Sequence, residues 1–375
     1  MKIGFDAKRA FFNNTGLGNY SRDTIRILGQ YFSHNEYHLY TPKEIENERL
    51  SFLKNQNHYY IHSPLGFFNQ KFSSVWRTLR LKNDLVRDGV SHFHGLSHEL
   101  PYGIDKTEIK TVVSIHDLIA IRYPQYFKKA DRVSYVKKSQ YACEIADKII
   151  AVSQQTKEDI IRFFNISEDK IEVVYQGCNK AFQEEQEDDF KVEISTKYQL
   201  PKKYLLYVGT IEERKNLLSL LKCLKELPNY QLVVIGNGKK YKTKCLDFIQ
   251  THKMNNRVLM LTNLSLKEMA AIYQQAEIMI YPSFFEGFGI PILESLLLIT
   301  CSACFLSRFS TSLVFSFPNS LFNSSSRFSA SSNSSLIFGH SVSDSNLSTR
   351  LSTLRNFSKT LFLLSSSSLS LSKSA

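Results

Sequence analysis

The chain of 375 residues lacks several features that identify whole classes of protein. Its start, from Met1 to Asp6, has the pattern of a strand and none of the regions of a signal peptide. No apolar run reaches the length that a membrane-spanning helix needs. Six cysteines are scattered without the spacing of a disulfide framework, which is typical of a reducing compartment. These absences predict a cytoplasmic protein, either soluble or peripheral at the inner face of the cell membrane.

Metal-ligand patterns are also missing from the sequence. Cys301 and Cys304 have neither a second cysteine pair nor a histidine nearby. The histidines at His92, His94 and His98 lack a helical His-x-x-x-His spacing with a third ligand, and no Asp-x-Asp pattern ends a strand. We therefore expect a site that works without a metal.

Acidic residues are fewer than basic ones, and the formal net charge of +12 raises the question of a nucleic-acid partner. Residues 181–300, however, hold 15 Lys/Arg against 14 Asp/Glu, and nothing resembles a base-reading module. We expect no nucleic acid. Five cations are predicted to line one helical face, which would suit an anionic lipid surface, with a solvated charged face as the alternative. They are Lys128, Lys129, Arg132, Lys137 and Lys138.

Short apolar segments alternate with helix-spaced segments along most of the chain, which predicts an α/β fold with parallel sheets and crossover helices. We predict an N-terminal domain at 1–182, an acidic linker at 183–198 and a second domain at 199–298. The predicted strands include 111–115, 148–152, 171–175, 204–208, 231–235, 258–261 and 277–281.

The composition changes abruptly after about Leu297. Residues 301–375 contain 27 serines but one acidic residue, one glycine and no tyrosine, and no helix or strand periodicity is visible. We predict a serine-rich, low-complexity tail at 299–375 and an incomplete second domain. Our hypothesis is a shift of the reading frame near Leu297, with a genuine serine-rich appendage as the alternative.

Two glutamates, Glu286 and Glu294, bracket the run Glu-Gly-Phe-Gly-Ile-Pro-Ile-Leu-Glu. An apolar strand pattern precedes this run and helical spacing begins at Ile290, so Gly287 and Gly289 are predicted to lie on a strand-to-helix turn. Glycine lets the main chain approach a ligand, a helix N-terminus favours negative charge, and carboxylates accept hydrogen bonds from sugar hydroxyls. The alternative is that Glu286 caps a helix and Glu294 is a solvated surface residue.

The same run resembles the signature of the retaining glycosyltransferases of family 4. The resemblance covers about residues 1–298 and implies a GT-B type fold, in which two Rossmann-like, doubly wound domains face a cleft. It implies that the domain at 1–182 is the acceptor side and that the domain at 199–298 binds the nucleotide sugar. It implies that Glu286 contacts the donor sugar and Glu294 the ribose of a GDP- or UDP-linked donor, without a cofactor. The remaining donor-binding residues that it implies in this run are Gly287, Phe288, Gly289 and Ile290.

Arg214 and Lys215 follow the strand predicted at 204–208 and its terminal Gly209. Two adjacent cations can neutralise a diphosphate as its bond to the sugar breaks, although a pair of exposed surface cations is the alternative. Members of the family often have Arg directly after this glycine. Here Thr210 occupies that position. The sequence motif resembles that of a subgroup with a later Arg-Lys-Asn, so neutralisation of the diphosphate is assigned to Arg214 and Lys215.

Three further pairs of residues are predicted from strand ends and from the resemblance. Gly16 and Gly18 lie between the first strand and a helix predicted at 21–28, where the family approaches the donor diphosphate; a turn without ligand is the alternative. His116 and Asp117 end a strand in a stretch that looks like the family's acceptor-side loop. His116 is predicted to orient substrate, and Asp117 to act as a base or a structural partner. Asn263 and Leu264 follow the third strand of the second domain, where the family holds the nucleotide base.

The prediction is a retaining glycosyltransferase that moves a sugar from a nucleotide-sugar donor to a glycan or lipid-linked acceptor. The motifs Gly-Thr-Ile-Glu and His-Asp-Leu-Ile look most like those of transferases that build bacterial surface polysaccharides, often with a mannosyl donor. One alternative is a catalytically inactive remnant, disrupted after Glu294. The other is a basic protein that binds membranes or nucleic acid.

Overall fold

The computed structural model describes residues 1–54, 56–301 and 312–315. It contains two compact units. The first unit comprises residues 1–177 together with Glu286–Phe288, and the second comprises Cys178–Phe285 with the described residues from Gly289 onward.

The first unit is built on a seven-stranded parallel sheet with the strand order β3-β2-β1-β4-β5-β6-β7. Leu39 and Tyr40, neighbours in one strand, belong to different core clusters because successive side chains point to opposite faces. Both faces of the sheet are therefore covered. The strands are β1 (Lys2–Asp6), β2 (Glu36–Tyr40), β3 (Tyr59–His62), β4 (His92–Gly95), β5 (Lys110–Ile115), β6 (Lys148–Ala151) and β7 (Ile171–Val173).

The helices of the first unit lie between these strands in the chain. A π-helical turn, Trp76–Arg80, joins α4 to α5, so the backbone is helical from Ser73 to Arg87. The helices are α1 (Lys8–Phe12), α2 (Gly16–Tyr31), α3 (Phe67–Lys71), α4 (Ser73–Val75), α5 (Leu81–Arg87), α6 (Ile119–Arg122), α7 (Lys129–Ile145) and α8 (Gln154–Phe164).

The second unit contains a five-stranded parallel sheet with the order β10-β9-β8-β11-β12. Leu205 and Leu206 again pack into separate clusters on the two faces. The strands are β8 (Leu205–Val208), β9 (Leu232–Ile235), β10 (Val258–Leu261), β11 (Ile278–Tyr281) and β12 (Ser312–Phe315). The helices are α9 (Asp188–Tyr198), α10 (Leu217–Lys225), α11 (Lys240–Thr251), α12 (Leu266–Gln275) and α13 (Ile290–Cys301).

The predicted α/β class, with two Rossmann-like units, is confirmed. Every strand predicted from the sequence is present within two residues of its expected ends, because buried parallel strands are short, continuous apolar runs. A capping box at the start of α12 is also present, with Ser265 and Glu268 bonded to each other's backbone N–H groups.

The stretch predicted as an acidic linker has a different structure. Residues 188–198 form α9, and Ile194 on this helix is buried in the core of the second unit. The acidic residues Asp188 and Asp189 occupy the first turn of α9, where the helix dipole favours negative charge. The two units divide between Gly177 and Cys178, before this acidic stretch.

The serine-rich segment also differs in part from its sequence pattern. Residues Ser312–Phe315 form β12, which pairs in parallel with β11, although no strand was expected in 301–375. A four-residue apolar run does not by itself distinguish a strand from other structure. The rest of the predicted tail, Cys304 included, lies outside the described residues, and the shift of reading frame stays a hypothesis.

The cations around α7 do not form the single face that their sequence predicts. Lys128 is the N-cap residue, and Lys129 and Lys138 are about two and a half turns apart, which places them on opposite sides of the helix. Lys138 instead bonds to Glu99, with an Nζ–Oε2 distance of 3.3 Å. Within the described ranges, no helix joins the length and the apolar composition that crossing a bilayer requires.

Candidate functional site

The strand order of the second sheet determines where its ligand site is expected. From β8 the chain proceeds outward to β9 and β10, and it then returns to β11 on the other side of β8. Ligands of open parallel sheets bind at the carboxyl ends of the strands where the order reverses. Because β8 and β11 are parallel neighbours, the loops at 209–216 and 282–289 leave the sheet at the same edge.

Arg214 connects these two loops. Its Nη1 donates to the carbonyl oxygen of Phe285 at 2.5 Å, and its backbone carbonyl accepts from Phe284 N at 2.9 Å. Its Nη2 donates to Glu212 Oε1 at 2.6 Å, and the side chain is only 12% exposed. The guanidinium is therefore held rigidly beside the segment that leads into the Glu286–Glu294 run.

Lys215 is fixed at the same edge by an aromatic residue of β11. Its Nζ lies 3.2 Å from Tyr281 Oη and 5.3 Å from the centre of the Tyr281 ring. Gly209, which ends β8, has a φ of 151°, and a Cβ there would come 3.1 Å from Lys215 Cδ. A side chain at Gly209 would be strained and would disturb Lys215.

The predicted strand-to-helix turn is present between β11 and α13. Gly289 has a φ of 91°, in the left-handed region that favours glycine, and α13 begins at the next residue, Ile290. The N–H groups of the first helical turn have no partners within the helix and carry partial positive charge. An anion-favouring helix end therefore follows Gly289.

Glu294 lies on α13 and is 6% exposed, so the alternative of a solvated surface residue is wrong. The hydroxyl of Tyr273, on α12, donates to Glu294 Oε2 at 2.8 Å. Burial raises the pKa of the Glu294 carboxyl to about 7, although the Tyr273 hydrogen bond acts in the opposite direction. The contact of Glu294 with a ribose stays a prediction, and Tyr273 is the residue that orients this carboxylate.

Glu286, Gly287 and Phe288 group with the first unit. A Cβ on Gly287 would lie 1.9 Å from the carbonyl oxygen of His116, so only glycine fits in this position. The structure therefore brings Gly287 next to the strand end that carries His116 and Asp117. The Phe288 ring lies 6.2 Å from the ring of Tyr175. The contact of Glu286 with a donor sugar stays a prediction.

His116 is buried, and both of its ring nitrogens have protein partners. Nε2 donates to the Leu96 carbonyl oxygen at 2.9 Å, which leaves Nδ1 as the acceptor for Gln176 Nε2 at 3.3 Å. Burial lowers the pKa of His116 to about 3, so the ring is neutral near pH 7. These contacts favour a positioning role for the predicted substrate-orienting histidine.

Asp117 helps to shape the loop after β5. Its Oδ1 accepts from Ile119 N at 3.1 Å at the start of α6, and its carbonyl oxygen accepts from the Tyr135 hydroxyl at 2.8 Å. This geometry matches the structural partner among the two predicted roles, while action as a base stays a prediction.

Gly16 and Gly18 lie in the first turn of α2 and not in a loop before it, because α2 begins at Gly16 and not near Ser21. A Cβ on Gly18 would lie 1.6 Å from the Asn13 carbonyl oxygen, whereas a Cβ on Gly16 would meet nothing within 4 Å. Gly18 is required by packing. Gly16 leaves open space at a helix N-terminus, as an approaching diphosphate needs.

Asn263 and Leu264 differ in exposure. Asn263 is exposed with a φ of 60°, whereas the Leu264 side chain is 6% exposed and packs in the core of the second unit. Any contact of Leu264 with a base would therefore use its backbone. Their place after β10 puts both at the carboxyl edge of the sheet.

Sequence reasoning missed the residues that hold the predicted ones in place, namely Glu212, Tyr273, Tyr281 and Gln176. Only Glu212 had a local signal, since it lies two positions before Arg214. Among the residues that the structure describes, no group of three or more His, Cys, Asp or Glu side chains is placed to hold a metal ion.

Comparison with known proteins agrees with this geometry. Residues 16–182 match the model of Glycosyltransferase Family 4, and residues 188–302 match that of Glycosyl transferases group 1. The O-antigen chain mannosyltransferase B of Escherichia coli is 28% identical over 315 residues, which are 79% of this chain and 80% of that protein. The serotype-specific mannosyltransferase WbdA of Escherichia coli is 26% identical over 247 residues, which are 62% of this chain and 30% of that protein.

A solved structure shares the fold. Anabaena Alr3699/HepE, crystallised in complex with UDP and glucose, superposes with a TM-score of 0.60 at 14% identity, over 80% of this chain and 79% of that one. At this identity the likeness concerns the fold alone. With the two family matches and the two parallel sheets, it leads to one conclusion: the chain belongs to the family 4 glycosyltransferases, enzymes of the GT-B fold.

Proposed function

We propose that this glycosyltransferase moves a mannosyl residue from a GDP- or UDP-linked donor to a hydroxyl of a glycan or lipid-linked acceptor, with retention of anomeric configuration. The proposed setting is the synthesis of a cell-surface polysaccharide at the inner face of the cell membrane, by peripheral contact. Two Escherichia coli relatives, an O-antigen chain mannosyltransferase and a serotype-specific mannosyltransferase, support the sugar and the pathway class.

One observation carries the proposal: Arg214 and Lys215 lie at the shared edge of β8 and β11, in the same unit as the N-terminus of α13. A sugar nucleotide breaks its bond to the sugar by placing negative charge on a diphosphate. A rigid guanidinium and a compact ammonium stabilise that charge most when they are already oriented. Arg214 is oriented by Glu212 and by the Phe285 carbonyl group.

Glu294 supplies the second part of the proposed donor site. Tyr273 fixes one carboxylate oxygen, and a carboxylate has further lone pairs with which to accept hydrogen bonds from hydroxyls. We assign that capacity to the ribose of the donor. Because the pKa of Glu294 is about 7, donor affinity should weaken as the carboxylate is protonated below neutral pH.

The test uses the full chain, purified, with GDP-mannose, UDP-glucose and UDP-galactose as separate donors. We expect release of nucleoside diphosphate that depends on a manno-oligosaccharide acceptor. Of the three donors, GDP-mannose should give the largest release. The anomeric configuration of the product is read by NMR. Lys215→Ala should lower this release, whereas the matched control Lys222→Ala, a change at an exposed lysine of the second unit, should not.

Folding is monitored independently through Trp76, the one tryptophan of the sequence, which is buried in the first unit. A chain that shows native Trp76 fluorescence and hydrogen-exchange protection of β8, but no thermal shift with GDP or UDP and no turnover, would contradict the proposal. That outcome would favour the inactive remnant.

A further inference from the structure

His98, three residues after β4, has a backbone conformation that residues with a side chain rarely adopt. Its φ is 64°, in the left-handed region, and its side chain is 6% exposed. The His98 amide N–H supports this conformation by donating to the carbonyl oxygen of Ser114, on β5, at 3.0 Å. Strained backbone persists where neighbouring contacts fix it, and it is concentrated at functional sites. His98 has no role in the proposed donor site, so its imidazole needs another explanation.

The imidazole of His98 contacts the hydroxyl group of Tyr135, on α7. Its Nδ1 lies 3.1 Å and its Nε2 3.4 Å from Tyr135 Oη. The hydroxyl donates its one hydrogen to the carbonyl oxygen of Asp117 at 2.8 Å, because a carbonyl oxygen can only accept. The hydroxyl oxygen therefore accepts from His98. Burial lowers the pKa of His98 to about 3, so the ring is neutral and has one N–H group, which the shorter distance assigns to Nδ1.

The Asp117 carbonyl group, where this chain of hydrogen bonds ends, lies in the segment on which Gly287 packs. A Cβ on Gly287 would lie 1.9 Å from the His116 carbonyl oxygen and 3.0 Å from Asp117 Cβ. The His116 carbonyl oxygen accepts from Thr156 Oγ1, on α8, at 3.3 Å. Helices α7 and α8 therefore each hold one carbonyl group of the His116–Asp117 segment.

Packing alone does not require the polar groups of this chain. A glycine at position 98 would adopt the same φ without strain, and a phenylalanine at position 135 would fill the same space without a hydroxyl group. What the imidazole and the hydroxyl group together determine is the position of the Asp117 carbonyl group. Precision matters at such a point, because a misplacement of about 1 Å caused by a residue far from the chemistry can lower a rate about 100-fold.

We propose that His98 and Tyr135 are positioning residues for glycosyl transfer. Through the Asp117 carbonyl group they fix the segment on which Gly287 packs, and thereby the orientation of the adjacent Glu286. They act through the backbone and do not touch the substrate. The inference rests on the proposed function, because it takes Glu286 to contact the donor sugar.

The kinetic test measures kcat and the KM for GDP-mannose with the full chain. Tyr135→Phe removes only the hydroxyl group and should lower kcat about 10- to 100-fold. The KM for the donor should change less than about twofold, because the groups proposed to bind the diphosphate and the ribose are unaltered. Tyr31→Phe is the matched control, since it removes the hydroxyl group of a tyrosine that is 72% exposed at the end of α2. It should leave both constants unchanged.

Two further variants test His98 itself. His98→Asn should retain at least several-fold more kcat than His98→Ala, because asparagine tolerates a left-handed backbone and its Nδ2 can donate from the place of Nδ1. Trp76 fluorescence and the urea midpoint report whether each variant is folded under the assay conditions. If Tyr135→Phe does not fold, the comparison of His98→Asn with His98→Ala decides. A folded Tyr135→Phe with wild-type kcat, a change in KM alone, or equal rates in the two His98 variants overturns the proposal.

A measurement without substrate distinguishes failure of this proposal from failure of the proposed function. In NMR spectra of the full chain, we expect His98 to be protonated at Nδ1, and Tyr135→Phe to shift the amide signal of Gly287 while Tyr31→Phe does not. A wild type without turnover contradicts the proposed function, and the NMR result then decides: the shift at Gly287 supports the positioning role. His98 protonated at Nε2, or a Gly287 signal that Tyr135→Phe does not change, overturns it.

Discussion

The buried histidines of the first unit and a buried glutamate of the second differ in the direction in which burial shifts their pKa values. In the first unit, burial lowers the pKa of each of His94, His98 and His116 to about 3, and all three lie on β4 or within three residues after β4 or β5. In the second unit, burial raises the pKa of Glu294 to about 7. Burial acts against the charged form in both cases, so it lowers the pKa of the three imidazoles and raises the pKa of the Glu294 carboxyl.

This difference indicates a division of tasks. The neutral histidines of the first unit use their nitrogens to hold backbone and hydroxyl groups, as His94 does with Ser114 Oγ at 2.8 Å. The second unit places the side chains of Arg214 and Lys215 at a sheet edge. The buried histidines of the first unit therefore serve mainly to hold its shape, while the proposed function gives the cations of the second unit an electrostatic task.

The largest expected effect is the loss of stability of the first unit in acid. Between pH 6.5 and pH 3 the unfolded histidines bind protons that the folded ones do not, so stability falls as the pH is lowered. From pH 6.5 to pH 5 we expect the free energy of unfolding to drop by up to about 6 kcal/mol, at about 1.4 kcal/mol per pH unit for each of the three histidines. Urea unfolding followed by Trp76 fluorescence measures it. A urea midpoint that does not change between pH 6.5 and pH 5 would contradict this response of the three histidines.

Glu294 should give the second unit the opposite response. The folded carboxyl keeps its proton up to about pH 7, whereas the unfolded one loses it above about 4.5, so stability rises as the pH is lowered from 7 to 4.5. The expected gain is up to about 3 kcal/mol. Hydrogen-exchange protection of the β8 and β9 amides measures it. Glu294→Gln, which still accepts from Tyr273 but does not ionise, should remove this pH dependence, and its persistence would assign it to another group.

Loss of a charge from the second unit should affect turnover more than folding. Arg214→Ala is expected to lower kcat about 100-fold, the size found when one oriented group that stabilises developing charge is removed. Arg214→Lys should recover part of the rate, because the charge remains while the planar fork is lost. Steady-state release of nucleoside diphosphate gives both values. Lys222→Ala is the control, and an unchanged kcat in Arg214→Ala would refute the electrostatic role.

The smallest effect tests the structural task of the first unit. Gly18→Ala places a Cβ against the Asn13 carbonyl oxygen and should cost about 1 to 3 kcal/mol of stability. Gly16→Ala, two residues earlier in the same helical turn, meets open space and should change stability by less than about 0.5 kcal/mol. Chemical denaturation of both variants, followed at Trp76, gives the difference. Equal values would mean that the helix start relaxes around the added methyl group.

Particular residues show how far sequence reasoning reached. The apolar runs predicted the strands, and the Gly-rich turn at Gly289 was predicted because its residues are neighbours in the chain. Tyr273 and Glu294 are 21 positions apart, and their hydrogen bond depends on how α12 and α13 pack. Arg77 is paired with Asp6 and Glu99, which are 71 and 22 positions away in the chain, and no contiguous motif predicts these ion pairs.

The sequence by itself therefore determined the local features of the protein. These are two α/β units, a strand-to-helix turn with a left-handed glycine, adjacent cations after a buried strand, and the motifs of a glycosyltransferase family. Those features depend on backbone preferences and on spacing within a few residues. The tertiary structure alone decided which groups are charged and which are held by partners, because desolvation and hydrogen bonding depend on residues far apart in the chain. It buried His116 with partners for both ring nitrogens, buried Glu294 beside Tyr273, and paired Arg77 with Asp6 and Glu99.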